Sequence, residues 1–455
     1  MHRTFTRLLT FRSRRRSLLI YVLLSILCTA FIFLTLNHNK QIDKLTIDKL
    51  FTTSTLLSKI YPVTHEILPL NKSSTTINVK NSDTLWPLDS LGRSLKTHFI
   101  AIDWTGFFGS QAAEGERVFC ESSNTTFLWT RNQQQISTCD FIIAHDAQST
   151  PVSQLEISEK KQQYSMVFVM ESEVHSSTGN GWASFKFKMT YNLDDSYPEA
   201  ATYFDMNVHL VDLLHPIIVD FDQKEKSADV VWIISNCAAH NGREGFVQRL
   251  MTEMKVDSYG ACMKNREGYS GRMAENVEAY RRYKFVIAIE NSNCNDYITE
   301  KLVKSVASGS IPIVAGRDGK PDYRRYMPKH SFINVFDYSS IKALADDLKR
   351  IGSDRQLYES YLWYRKHNKT VDDIRKLPLN EKIKHFEEVV GKNQTMLAQN
   401  GIVAKEKSEN KVCKLIRFVR ETPWKEIAEH NSTGRAGANT ACLPSRSILS
   451  HFDIK

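Results

Sequence analysis

The stretch from Tyr283 to Gly316 constrains the fold more than any other part of this 455-residue chain. Phe285 to Ile289 is apolar without alternation, the pattern of a strand covered on both faces. A polar turn follows. Asp296 is placed to cap a helix in which Ile298, Leu302, Val303 and Val306 recur at helical spacing, and Gly309 to end it. Ile311 to Val314 then reads as the next strand. Strand, helix and strand in about 30 residues make a βαβ unit of a parallel sheet. Its polar residues gather where the first strand ends and the helix begins. Open parallel sheets bind ligands there, because helix N-termini leave backbone N–H groups for anions.

A second unit of the same kind precedes it. Asp229 to Ile234 is a buried strand, Ser235 to Gly242 a loop, and Arg243 opens a helix marked by Phe246, Val247, Leu250, Met251 and Met254. Val256 to Tyr259 is the next strand. An arginine at a helix start combines a fixed charge with free backbone donors and suits a diphosphate, although many such arginines are plain surface residues. Cys237 and Cys262 fall just past the carboxyl ends of two adjacent parallel strands, so a Cys237–Cys262 disulfide is expected. A helix begins near Ser340 and stops at Gly352, and Leu357 to His367 reads as another.

Upstream, Phe99–Asp103, Cys139–Ala144 and Ser165–Met170 are further strands, which makes the chain α/β. Glu171 leaves the carboxyl end of the third. That is where a general base belongs, though position alone is satisfied equally by a glutamate capping a surface turn. Asp220 and Asp222 form a D-x-D of the kind that holds metals, but the polar run Gln223–Ala228 follows at once and reads as a connector.

The N-terminus sets the compartment. Leu18 to Leu36 carries no charge, and about 19 apolar residues suffice to cross a ~30 Å hydrocarbon core. Arg3, Arg7, Arg12, Arg14, Arg15 and Arg16 precede it with no acid among them, which places residues 1–17 in the cytosol and the rest across the membrane. The run exceeds a ~7–15-residue signal-peptide core, and no clean cleavage site follows, so an uncleaved anchor is expected. Sequons at Asn71, Asn124, Asn368, Asn393 and Asn431 agree with a lumenal head. Those six arginines also supply most of the +9 net charge, leaving too little to suggest nucleic acid. Seven cysteines lie beyond the span with no C-x-x-C; in an oxidising lumen some pair, and the odd number leaves at least one over. Residues 37–95 read as a stem, 96–222 and 223–390 as two globular domains, and 391–455 as a polar tail in which Cys413 and Cys442 are candidate staples.

The motifs go further than periodicity. Ser235-Asn-Cys…Asn241-Gly-Arg243, Val256-Asp-Ser-Tyr-Gly260 and Tyr283-Lys-Phe…Glu290-Asn-Ser…Asp296-Tyr-Ile-Thr-Glu-Lys301 resemble the donor-site motifs of the α1,3/α1,4-fucosyltransferases, glycosyltransferase family 10. The resemblance is dense from about Val230 to His367 and fainter from Phe99 to Phe204. It implies a GT-B fold, with two Rossmann-like domains facing across a cleft, residues 96–222 on the acceptor side and 223–390 binding GDP-fucose. It implies a Golgi type II membrane enzyme with a lumenal catalytic domain, moving fucose from GDP-fucose with inversion. No metal is required, and stimulation by a divalent ion stays open. Arg243 and Lys301 would hold the diphosphate. Tyr297 and Glu300 would line the guanosine or fucose pocket, completed by Glu290 and Asn291, and Glu171 would be the base.

The acceptor is less readable. Met189 to Ser196 stands where Lewis-type members carry two arginines, and the stretch looks nearer to members acting on N-glycan cores or on proteins. The expectation is α1,3 transfer to N-acetylglucosamine of a glycoprotein glycan, possibly the N-glycan core. The alternatives are protein O-fucosylation and a non-catalytic Golgi glycan-binding homologue.

Overall fold

The computed structural model describes residues 86–106, 112–145, 163–176, 185–193, 196–200, 203–204, 206–268, 273–392, 409–430 and 442–454. The apolar run 18–36 and the sequons at Asn71, Asn393 and Asn431 lie outside them. Among the described residues no helix is long and apolar enough to cross a membrane. Asn124 and Asn368 are both exposed.

Residues 82–455 form one compact unit built on two sheets. The first holds β1 (His98–Asp103), β2 (Arg117–Cys120), β3 (Thr125–Thr130), β4 (Phe141–Ala144), β5 (Tyr164–Val169) and β6 (Phe187–Thr190), in the order β2-β3-β1-β4-β5-β6. Only β2 runs antiparallel. The second holds β7 (Val230–Trp232), β8 (Val256–Ser258), β9 (Phe285–Ile287), β10 (Ile311–Val314) and β11 (Ile333–Asn334), in the order β11-β10-β9-β7-β8, all parallel. Its central strands are buried at every residue, as continuous apolar runs in a sheet covered on both faces require.

The order of each sheet reverses once. In the first sheet the chain leaves β1 toward β3 on one side and later adds β4 on the other. In the second it leaves β7 toward β8 and returns to place β9 opposite. Such switch points open a crevice at the carboxyl ends of the two strands, because the connections diverge to opposite faces.

Among the described residues the helices are α1 (Met206–Leu214), α2 (Arg243–Glu253), α3 (Met273–Arg281), α4 (Glu300–Ser308), α5 (Ile341–Ser353), α6 (Leu379–Val390), α7 (Lys411–Glu421) and α8 (Ser447–His451), with further ones at Arg355–Ser360, Val371–Lys376 and Trp424–Glu429. Several depart from the sequence reading. α4 starts at Glu300, with Thr299 rather than Asp296 at its N-cap. Asp296 instead has φ +56°, accepts from Leu193 N–H and pairs with Arg325. Gly309 ends α4 as expected, with φ +75°. Gly352 does not stop α5, which continues to Ser353; a Cβ there would stand 2.8 Å from an Asp229 carboxylate oxygen. Leu357 to His367 is not one helix: the helix Arg355–Ser360 is followed by a 3-10 turn at Trp363–Arg365.

Both ends of the unit 82–455 pack where a stem and a tail would not. Trp86 is buried against Phe99, Phe141 and Tyr164 in the first sheet's core. α7 buries Val412, Leu415, Ile416 and Val419 in that same core, and the Cys120–Cys413 disulfide ties it to β2. α8 contributes Ile448 and Leu449 to the second sheet's core, beside a Cys294–Cys442 disulfide. Cys237 and Cys262 are bonded, and Cys139 is a buried free thiol. α1, placed before the expected boundary at residue 222, buries Leu210, Leu213 and Leu214 with Leu302 and Val306 of α4 and Phe386 of α6, on the second sheet's side.

α1 also carries a titration. His209 is 1% exposed, lies edge-on to Phe204 and donates Nε2–H to the Tyr326 carbonyl at 3.1 Å. Burial pushes its pKa down to about 4, and Arg365 acts in the same direction. The unfolded chain takes that proton near pH 6.5, so stability falls as pH drops from there toward 4, by about 3 kcal/mol in all. Thermal unfolding of wild type and His209→Gln at pH 7.5 and 4.5 should show their stability difference narrowing on acidification; a constant difference would contradict the assignment.

Candidate functional site

The loops that follow β7, β9 and β10 meet at the second sheet's switch point. After β9 the chain stays buried through Ala288 and Ile289 to Glu290. Glu290 is 1% exposed, and both its oxygens are used on the N-cap of α4: Oε1 accepts from Thr299 N–H and Oε2 from Thr299 Oγ1, each at 2.7 Å. A carboxylate there satisfies an otherwise orphaned donor and meets the positive end of the helix dipole. The sequence reading placed Glu290 on a pocket wall, whereas the structure places it beneath, where it sets the start of the helix.

Lys301, on the first turn of α4, folds back onto this cap. Its Nζ reaches Thr299 Oγ1 at 2.8 Å, Glu290 Oε2 at 3.0 Å and Glu300 Oε1 at 3.2 Å, one oxygen for each ammonium proton. Burial works against its charge, but Glu290 and Glu300 more than offset it and hold its pKa above the ordinary lysine value. Glu300 is the most exposed of the three partners. Burial pushes its carboxyl up, Lys301 and Thr299 pull it down, and the net direction is down. An anion entering the crevice can therefore take the Glu300 bond to Lys301 while the buried pair with Glu290 stays in place.

Arg243 stands on the other side of the switch point. Gly242 precedes it with φ +78°, and a Cβ at that position would lie 2.8 Å from Leu449 Cγ of α8, so glycine is needed twice over. The guanidinium is 1% exposed. It donates from Nη1 to the Ile289 carbonyl at 2.9 Å, from Nη2 to the Asn236 carbonyl at 3.2 Å and from Nε to Glu244 at 3.2 Å. It thus joins the two loops and supplies a cation in a low-dielectric setting.

Two further residues knit the loops, and the sequence reading gave them no role. Asn241 Nδ2 donates to the Glu290 carbonyl at 2.9 Å and to Asn293 Oδ1 at 2.8 Å, and Asn293 Nδ2 donates to the Ala315 carbonyl at 2.6 Å. Their signal was available: both are asparagines set among buried residues, where a side-chain amide serves backbone groups that no ladder reaches.

Glu171 arrives from the first sheet, two residues beyond the end of β5. Its Oε1 accepts three hydrogen bonds, from Ser172 N–H at 2.9 Å, Asn291 Nδ2 at 3.2 Å and Tyr297 OH at 2.5 Å. Asn291 and Tyr297 belong to the β9–α4 connection, so the second sheet's loop orients a carboxylate carried by the first. Oε2 accepts from no described residue. Tyr297 is 2% exposed and its ring meets Tyr191 edge-on at 4.9 Å. Burial first, then the charges of Glu290 and Glu171, hold its pKa well above the ordinary tyrosine value, so it remains a donor. His175 and His240, one from each side, face each other with ring centroids 6.4 Å apart.

The structure brings all seven expected residues to this junction, with Glu290, Arg243 and Tyr297 almost fully buried and Lys301 and Glu300 partly open. Among the described residues no three His, Cys, Asp or Glu side chains cluster as metal ligands, and Asp220 and Asp222 pair instead with Arg355.

The chain is similar to known proteins. The C-terminal domain of glycosyltransferase family 10 (fucosyltransferase) matches residues 223–424. Glycoprotein 3-alpha-L-fucosyltransferase A of Drosophila melanogaster is 33% identical over 240 residues, 51% of this chain and 45% of that protein. GDP-fucose protein O-fucosyltransferase 3 of Homo sapiens is 29% identical over 188 residues, 39% of each. The chain thus spans less than half the length of either relative. A solved α1,3-fucosyltransferase with GDP-fucose is 16% identical, at a TM-score of 0.43 over 68% of this chain and 94% of its own. The stretch that supplies Arg243, the β9–α4 loop and the cap of α4 is the part of the chain that matches glycosyltransferase family 10, the fucosyltransferases.

Proposed function

We propose that this chain is an inverting fucosyltransferase that takes L-fucose from GDP-fucose, with the two sheets as the cores of a GT-B pair of domains. The observation that carries the reading is the joint between them: a single carboxylate, Glu171, held by Asn291 and Tyr297 of the donor motif. Inverting transfer needs one base for the acceptor hydroxyl, and Glu171 has one oxygen oriented by three donors and a second for the proton. Negative charge builds on the departing diphosphate, where Lys301, the α4 N-terminus and the buried Arg243 offset it. Glu300, once released from Lys301, is an acceptor for ribose or fucose hydroxyls. No step in this scheme calls on a metal.

The chain would sit in the Golgi membrane as a type II protein anchored by residues 18–36. Three disulfides in the head suit an oxidising lumen. For the acceptor, an α1,3 linkage to the innermost N-acetylglucosamine of an N-glycan is the favoured reading. Transfer to a protein hydroxyl is the second, supported by similarity to a relative named as a protein O-fucosyltransferase. Incubating the lumenal protein with GDP-fucose and two acceptors, an N-glycan glycopeptide and an unglycosylated protein, separates them. Fucose on position 3 of the glycopeptide's first sugar is expected. Fucose on serine or threonine would establish the second reading, and GDP-fucose bound without transfer would leave a non-catalytic binder.

A further inference from the structure

The second sheet's switch point accounts for the donor, and the first sheet has one too. It lies between β1 and β4, and a cavity of about 260 Å³ opens there, lined by Asp103 at the end of β1, Ile143 and His145 at the end of β4, and Phe168 of β5. Glu116, Trp129 and Lys411 close its sides. Asp103 is fixed in place by two backbone donors, Gly106 N–H on Oδ1 at 3.0 Å and Ala112 N–H on Oδ2 at 2.8 Å, and each oxygen keeps acceptor capacity. The Glu116 carboxylate is half-buried and has no hydrogen bond or ion pair among the described residues. Lys411 stands with Nζ 4.4 Å from the Phe168 ring centre, and burial lowers its pKa while Asp103 opposes that shift.

We propose that this cavity is the subsite that binds a saccharide ring of the acceptor, with Asp103, Glu116 and Lys411 as its polar contacts and Trp129 and Phe168 as its apolar walls. The inference rests on the fucosyltransferase reading for the word acceptor, but the chemistry of the cavity stands apart from it. Two carboxylates against one ammonium give a net negative lining, which disfavours a phosphate and so a second nucleotide site. Sugar hydroxyls both donate and accept, so they can bridge acceptor-only carboxylates and a donor-only ammonium. Aromatic walls with a few placed polar groups are the usual make-up of a small-molecule site.

Position agrees. Phe168 of β5 and Glu171 are three residues apart in sequence, so at most on the order of 10 Å separates them, a span that two linked sugar rings can cover. Lys411 opens α7, which the sequence places far from this sheet and the Cys120–Cys413 disulfide holds against it.

The test uses the full lumenal protein and N,N′-diacetylchitobiosyl-asparagine as probe, with binding read by saturation-transfer NMR and titration, and GDP affinity measured in parallel. Glu116→Gln and Lys411→Gln are both expected to weaken the probe by about tenfold, the size of one lost hydrogen bond to a charged group, with GDP affinity unchanged. Opening the Cys120–Cys413 link with Cys120→Ser should act in the same direction. If the probe binds and both substitutions weaken it but no fucose moves, the subsite stands and the transferase reading fails. If fucose moves to the probe and both variants handle it like wild type, the subsite fails and the transferase reading stands. Failure of wild type to bind the probe, or an unglycosylated peptide showing the same losses in the variants, also overturns the proposal.

Discussion

Lys301→Ala is expected to weaken GDP binding at least tenfold and to destabilise the fold at the same time. The first effect is the loss of a charge-assisted contact to the diphosphate, about 1.5–3 kcal/mol, or roughly 10- to 150-fold in Kd. The lower end is favoured, because an arriving anion has to compete with Glu300 for the Lys301 ammonium. The second effect comes from Glu290, 1% exposed and left without its cation; an orphaned buried charge costs about 3–5 kcal/mol. The two effects separate in a double variant. Lys301→Met with Glu290→Gln removes the pair without stranding either charge, so it should recover most of the stability and still bind GDP poorly. Titration calorimetry with GDP, alongside thermal unfolding, reads both. A double variant that binds GDP like wild type would remove Lys301 from the diphosphate site.

Glu171→Gln is expected to slow fucose transfer by about 10²–10⁴-fold, the usual worth of a general base, and to leave GDP affinity unchanged. The amide keeps an oxygen for Ser172, Asn291 and Tyr297, so the carboxamide should sit where the carboxylate did. It cannot take the acceptor's proton. Transfer retained at the wild-type rate would mean that another group is the base.

How much of this was legible depends on the range of each interaction. The strands were, because a parallel sheet buries both faces and writes itself as uninterrupted apolar runs such as Phe285–Ile289. So was the position of Arg243 and Lys301 beside loops at strand ends. The start of α4 was misread by a few residues. Asp296 has the chemistry of an N-cap, but Glu290, nine residues before Thr299 and across a loop, supplies the cap instead. Capping rules are local, and this cap is not. The terminal segment failed for a similar reason. Val412, Leu415, Ile416 and Val419 make a helical stripe, but basic and polar residues interleave it, and its partner surface is formed by strands nearly 300 residues earlier. α1 lies before the expected boundary at residue 222 yet packs on the second sheet's side, which an apolar stripe alone does not reveal. The layering of the site was hidden as well: a motif lists Glu290 and Glu300 alike, and only burial separates the one that builds the helix from the one that faces the crevice.

The most direct test of the account follows GDP-fucose and an N-glycan glycopeptide by proton NMR in the presence of the protein. The account predicts equimolar appearance of GDP and an α-linked fucosyl residue on the acceptor, since one displacement inverts the β-linked donor. A β-linked product would contradict the single base at Glu171, and bound GDP-fucose that never turns over with glycan or protein acceptors would contradict the transferase itself.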